Sequence, residues 1–207
     1  MKENLFDPKL YVRAQGQIPK KNIESAMLVF DVVGFSSDMV NSSMISIVNE
    51  IHKSLWETLE PDYYWAETKK HSSSNDFILI PTGDGYCLVL NNIHDDEEIL
   101  KIAVSLHRSL TSEKIKIRMG ISKGWNVITI DSNDHLNVFG YGIVLATRVC
   151  NAAKEGQILI HATLAEAFLQ KRPNATLELI EKPFVAKHGL EIKCYNLFKK
   201  NEYGTEV

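Results

Sequence analysis

Two short runs of β-forming residues, Phe77-Ile78-Leu79-Ile80 and Tyr86-Cys87-Leu88-Val89-Leu90, flank the segment Pro81-Thr82-Gly83-Asp84-Gly85. An Asp-Gly step between two such runs is a strong short-range hairpin signal, because glycine accepts the backbone conformation that a tight turn demands. A hairpin here commits the chain to an antiparallel pair. An isolated pair is marginal in water, so the rest of the chain must add strands and cover them with helices.

The remaining segments supply those elements. Ala26-Met27-Leu28-Val29-Phe30 is a short apolar run, read as a buried strand. It stops at Asp31 and is broken by Gly34, and Ser36 or Ser37 can cap a following helix. Ile45, Val48, Ile51, Leu55 and Leu59 recur at helical spacing. Residues 61–75 read as a connector, aromatic and then polar. Asp95 to Leu110 predicts an amphipathic helix with an acidic opening. Ile115 to Ile121 alternates like a strand, with Trp125 to Ile130 as its expected partner. Tyr141 to Ala153 reads as a helix, Gln157 to Ile160 as a strand and Ala162 to Leu169 as a helix; Leu177 to Ile180 and Glu191 to Leu197 close the sheet. The order β-α-β-β-α-β-β-α-β-α-β-β predicts an α+β fold. Its opening βαββαβ is the ferredoxin-like arrangement, with a mixed, mostly antiparallel sheet and helices on one face.

Composition narrows the function classes. The chain has 207 residues, 44% hydrophobic and 24% charged, a balance that suits one α/β-type domain with its own core. The expected division is a polar arm over 1–24, a globular domain over 25–200 and a tail over 201–207. A net charge of −3 argues against a general nucleic-acid binder, so an anionic ligand must be met by a few placed cations. Cys87, Cys150 and Cys194 are odd in number, widely spaced and without a CxxC pair, which argues against zinc or a disulfide framework. They are expected to be free thiols. The polar opening has no apolar core of a secretory leader, and no run nears the ~20 apolar residues of a membrane span. A soluble, cytoplasmic protein is expected.

Asp31 and Asp84 carry the first chemical signal. Each sits where an apolar strand stops and a glycine-bearing turn starts. Taken singly, one reads as a cap and the other as a turn residue. If the first strand lies beside the hairpin, both carboxylates emerge at one sheet edge, where they suit Mg2+ or Mn2+. Val33-Gly34-Phe35-Ser36 places a strand before a glycine and a helix start, an arrangement whose backbone N–H groups can cradle phosphate oxygens. No GxxxxGK[ST] is present, so a Walker-type loop is excluded. Arg118, Arg148 and Lys187 are the candidate cations for a polyphosphate. Arg148 lies on a largely apolar helix and needs an anion, either a neighbouring acid or a phosphate in transit. Lys187 and His188 sit in a turn, where solvated side chains are the plain alternative.

Together these segments resemble the class III adenylate and guanylate cyclase catalytic domain. Val29-Phe30-Asp31-Val32-Val33-Gly34-Phe35-Ser36 looks like that family's first metal motif, and Thr82-Gly83-Asp84-Gly85 like its second metal-aspartate hairpin. Ile117-Arg118-Met119-Gly120-Ile121-Ser122-Lys123-Gly124 is similar to its R-[VM]-G-[IV]-x-x-G strand and turn. Gly142 to Arg148 resembles the helix with the transition-state arginine, and Ala153 to Ile160 the strand that follows. The resemblance runs from about Ala26 to Leu197.

It implies that Asp31, Asp84 and the backbone carbonyl of Val32 bind two Mg2+ or Mn2+ ions. Backbone amides of Gly34, Phe35 and Ser36 would hold phosphates, Arg118 and Lys187 would contact the triphosphate, and Arg148 would steady charge on the α-phosphate. It also implies a homodimer with two sites, each taking Arg148 from the other subunit. Three positions depart from the family pattern. Val144 stands where an asparagine usually orients the ribose. Ile80, four positions before Asp84, stands where adenylate cyclases have lysine and guanylate cyclases glutamate, and Asn137 replaces the usual aspartate. An amide does not by itself reject any base. With Tyr63, Tyr64, Trp65, Phe139 and Tyr141 nearby in the sequence, the pocket is expected to be non-purine. In this it resembles the stand-alone pyrimidine cyclases of bacterial Pycsar antiphage systems. That resemblance implies conversion of UTP to cyclic UMP and pyrophosphate, read by a separate cyclic-nucleotide-sensing effector. Cyclic CMP formation, adenylate cyclase activity and a catalytically weak nucleotide sensor are the alternatives.

Overall fold

The structure, a computed structural model, describes residues 21–35, 43–68, 77–90, 96–130, 136–175, 177–180, 183–185 and 189–197. In chain order these form β1 (Lys21–Val32), α1 (Ser43–Thr68), β2 (Phe77–Pro81), β3 (Gly85–Leu90), α2 (Glu97–Ser112), β4 (Ile117–Ile130), β5 (Leu136–Gly140), α3 (Tyr141–Ala152), β6 (Ile158–His161), α4 (Ala162–Lys171), β7 (Glu178–Leu179), β8 (Phe184–Val185), β9 (Glu191–Ile192) and β10 (Cys194–Asn196). The main sheet runs β2-β3-β1-β4-β6-β10-β7, with β5 also on β4, and β8 and β9 make a separate pair. The β2-β3-β1-β4 order is that of the expected ferredoxin-like core. Every pairing is antiparallel except β4 with β6.

Strand β1 sits between β3 and β4, and its side chains alternate between two cores. Ala26, Leu28, Phe30 and Val32 point to one face, where α1, α2 and α4 cover them with Ile51, Leu55, Ile99, Leu106, Leu164 and others. Met27 and Val29 point to the opposite face, with Ile78, Cys87, Val89, Val138 and, from α3, Ala146 and Cys150. Leu145 and Val149 of α3 extend that second layer over Leu159 and Cys194.

Four sequence expectations are corrected. The helices do not share one face, because α3 crosses the opposite side. Ile115–Ile121 and Trp125–Ile130 are not partners: they belong to the single strand β4, and Leu136–Gly140 is the partner of its second half. Both differences have one cause. Gly120 and Gly124 leave flat spots on β4 for α3. A Cβ on Gly120 would lie 2.1 Å from the backbone N of Cys150, and one on Gly124 would lie 3.1 Å from the Cα of Gly142. In addition, β1 opens at Lys21, inside the stretch that reads as a polar arm. Helix α1 runs past Leu59 and through Pro61 to Thr68, beyond the point where its apolar stripe ends. The missing N–H of Pro61 forfeits one intrahelical bond there without ending the helix.

Candidate active site

Register decides what meets at the end of β1. Asp31 lies on the α3 face, level with Gly85 of β3 on one side and Arg118 of β4 on the other. Gly85 brings no side chain, so the Asp31 carboxylate turns to Arg118. Its Oδ2 accepts from Arg118 Nε at 2.8 Å and from Nη2 at 2.5 Å. Asp31 Oδ1 is buried and accepts no hydrogen bond. A buried polar atom without a partner is unusual enough in a native fold to need an explanation.

The β2–β3 turn brings in the second carboxylate. Thr82 N–H donates to the Gly85 carbonyl at 3.0 Å, and Val32 N–H donates to the Asp84 carbonyl at the same distance, which ties the turn to β1. Gly83, with φ of 102°, takes the left-handed conformation that this turn requires. Asp84 then faces Asp31. Burial pushes the Asp31 carboxyl above its usual range, and the neighbouring Asp84 adds to this against the pull of Arg118.

Asp31, Val32, Val33, Gly34, Phe35, Asp84 and Arg118 line one cavity of about 390 Å³. The buried Phe35 ring is seated in the main core, which anchors the turn that closes this cavity. Val33 N–H is already used, donating to the Lys116 carbonyl at 2.8 Å. Among the described residues no three His, Cys, Asp or Glu side chains gather as a closed metal cage. The residues present nonetheless fit a divalent cation. Two hard carboxylates face each other with one oxygen unsatisfied, and Mg2+ commonly takes one or two carboxylates and completes its shell from water and substrate phosphates.

The other predicted residues lie elsewhere. Arg148 is on α3, half-buried, outside the cavity wall and without an ion-pair partner among the described residues. It shares a helix face with Tyr141 and Val144, both exposed. Ile80 packs with the second core cluster, beside Val138 and Leu136, not against the two aspartates. Asn137 pairs with Thr129, and its Oδ1 accepts from the Val138 N–H at 2.8 Å. Ser36 and Lys187, and the side chains of Tyr63, Tyr64 and Trp65, lie outside the described residues.

Two features escape sequence reading. One is the Asp31–Arg118 pair, which depends on register; the alternation Ile117-Arg118-Met119 is its only trace. The other is Asn126, buried between strand and helix. Its Nδ2 donates to Ser25 Oγ at 2.9 Å, and its Oδ1 accepts from the Ile143 N–H at 3.2 Å. It thereby caps α3 from another strand, because Gly140 at the helix start has no side chain to do so.

No protein-family model matches the sequence, and no curated protein does. Solved structures do match its fold. The adenylyl cyclase CyaB from P. aeruginosa aligns at 12% identity with a TM-score of 0.69, over 88% of this chain and 97% of that one. The guanylate cyclase domain of RhGC from Catenaria anguillulae, solved in complex with GTP, aligns at 18% identity and 0.65, over 85% and 97%. The non-canonical dimeric guanylyl cyclase domain of the RhoGC fusion protein from the aquatic fungus Blastocladiella emersonii gives 19% and 0.63, over 85% and 97%. The chain therefore has the class III cyclase fold.

Proposed function

We propose that the protein is a nucleotidyl cyclase that converts a nucleoside triphosphate, UTP by preference, to its 3′,5′-cyclic monophosphate and pyrophosphate. One observation carries the reading. On a cyclase-type fold, Asp31, Asp84 and Arg118 converge on a single cavity with a buried carboxylate oxygen unsatisfied. Bound there, Mg2+ or Mn2+ would lower the pKa of the ribose hydroxyl and neutralise the phosphates. The 3′-oxygen bonds to the α-phosphorus, the bond from that phosphorus to the bridging oxygen breaks, and pyrophosphate leaves with the electron pair. The hydroxyl proton passes to water. Arg118 and Lys187 hold the polyphosphate, with the backbone of Gly34 to Ser36 around it.

Arg148 supplies charge at the α-phosphate from a second copy of the chain. Its place outside the wall of its own cavity and its exposed helix face support a homodimer, as do the more than half exposed Trp125, Phe139 and Tyr141 at the β4–β5 end. For the base, Ile80 and Asn137 offer neither the lysine–aspartate pairing for adenine nor the glutamate for guanine. The resemblance to Pycsar cyclases extends the reading to a cytoplasmic second-messenger synthase whose product triggers a separate effector in antiphage defence.

Incubating the protein with each of the four triphosphates and Mn2+, then resolving products by mass, tests this. Cyclic UMP is the expected product. Cyclic AMP alone would overturn the base assignment, and no cyclic product at all would overturn catalysis. The exposed Val144, in the family's asparagine position, favours a second reading as a nucleotide sensor. Tight triphosphate binding without turnover would be its mark.

A further inference from the structure

Arg118 spends two donors, Nε and Nη2, on the single oxygen Oδ2 of Asp31, and the side chains are only 31% and 17% exposed. Two carboxylates and one guanidinium thus share a partly desolvated cavity that no other charged side chain among the described residues lines. A lone divalent ion entering it meets a cation already in place, and cannot take both Asp31 oxygens while Arg118 keeps one. A polyphosphate changes that balance. It brings excess negative charge and planar oxygen pairs that match a guanidinium fork. Arg118 can then leave Asp31 for the phosphate, freeing the carboxylate at the moment the metal arrives.

We infer that Arg118 acts as a resident counter-ion that keeps free divalent cations out of the Asp31–Asp84 pair and admits them only with a polyphosphate. It is a specificity-determining residue for the form of metal taken up, and the coupling is reciprocal: the phosphate raises metal affinity by the same factor as the metal raises phosphate affinity. The inference rests on the metal-binding reading of the two aspartates proposed above.

The test is Mn2+ binding to the protein without nucleotide, read by the EPR signal of the free ion, alongside binding of inorganic tripolyphosphate without metal. Arg118→Ala is expected to tighten Mn2+ binding about tenfold, within the ~5–150-fold typical of coupled sites, and to weaken tripolyphosphate binding. Arg118→Lys keeps the charge and holds Mn2+ binding near the wild-type level. Should the alanine variant fold poorly, Arg118→Met fills the same space without charge and gives the same reading. Mn2+ binding unchanged or weaker in the uncharged variants overturns the counter-ion role. A separate outcome addresses the underlying site. If the double variant Arg118→Ala, Asp84→Asn binds Mn2+ as well as Arg118→Ala does, the two aspartates are not the metal site, and the inference falls with that reading.

Discussion

Asp31 and Asp84 differ in what their surroundings ask of them. Asp84 is a half-exposed turn carboxylate, tied down through its backbone. Asp84→Asn is therefore expected to abolish cyclisation while moving stability by less than about 0.5 kcal/mol, the usual range for surface changes. Parallel product assays and thermal melts check this. If Arg148 steadies charge on the α-phosphate as proposed, Arg148→Ala is expected to lower kcat by roughly 10²–10³-fold, with a smaller effect on KM, in steady-state kinetics. At this scale the sequence is legible where chemistry and chain punctuation coincide, as at Asp31 and Gly83-Asp84. It is silent where strand register decides, which is why the grip of Arg118 on Asp31 and the reach of Asn126 to α3 appear only in three dimensions.

Helix α3 shows what whole elements contribute. Backbones of helix and strand touch at Gly120, so Gly120→Ala must push α3 away from β4. The expected loss is about 3 kcal/mol or more, the upper range for overpacking. Gly142→Ala meets the flexible end of Met27, whose Cε would lie 2.4 Å from the new Cβ, as well as the Asn126 amide, so a smaller loss is expected. Urea midpoints of the two variants should rank in that order. A second clamp joins three elements: buried Asp96, just before α2, accepts from Lys123 of β4 and Lys171 of α4, both at 2.9 Å. Burial alone would push this carboxyl up, and the two ammonium groups outweigh it and hold the pKa below the usual 3.8. The folded-state value thus lies below the unfolded one. The clamp's contribution is present above 3.8 and is lost as pH falls through the folded value. Asp96→Asn is expected to lose about 2 kcal/mol at neutral pH, less than the ~3–5 of a fully buried pair because the lysines keep contact with water. The difference from wild type should close in acid, as urea unfolding across the range would show. Apolar stripes mark where the helices of this chain lie, although α1 runs on past the end of its own. The single course of β4 was missed because one strand running through residues 122–124 and two strands joined by a turn there look alike in sequence.

At the scale of the molecule, one sheet carries the cavity on the central strand and its neighbours, while α3 holds its arginine away from its own cavity. If two copies complete each other, mixing Asp84→Asn with Arg148→Ala is expected to restore activity from two inactive preparations, because half of the mixed pairs' sites carry both wild-type groups. Tyr141→Arg, on the exposed face of α3, is expected to yield monomers in sedimentation velocity and to prevent that rescue. No helix among the described residues is long and apolar enough to cross a membrane. The βαββαβ order was legible from hairpin and helix signals alone. The side of the sheet taken by α3 was not, since hydrophobic periodicity tells how a helix is buried but not beneath which face.

Strand β1 also has no partner near it in sequence. Its neighbours are β3, at Gly85–Leu90, and β4, at Ile117–Ile130. During synthesis its apolar run Ala26–Phe30 therefore leaves the ribosome long before either edge can be matched. Non-local pairing of this kind is slow and exposes sticky intermediates. The newborn chain should be a client of holding chaperones until β4 emerges, and pulse-labelled translation products truncated before residue 117 should aggregate where longer ones do not.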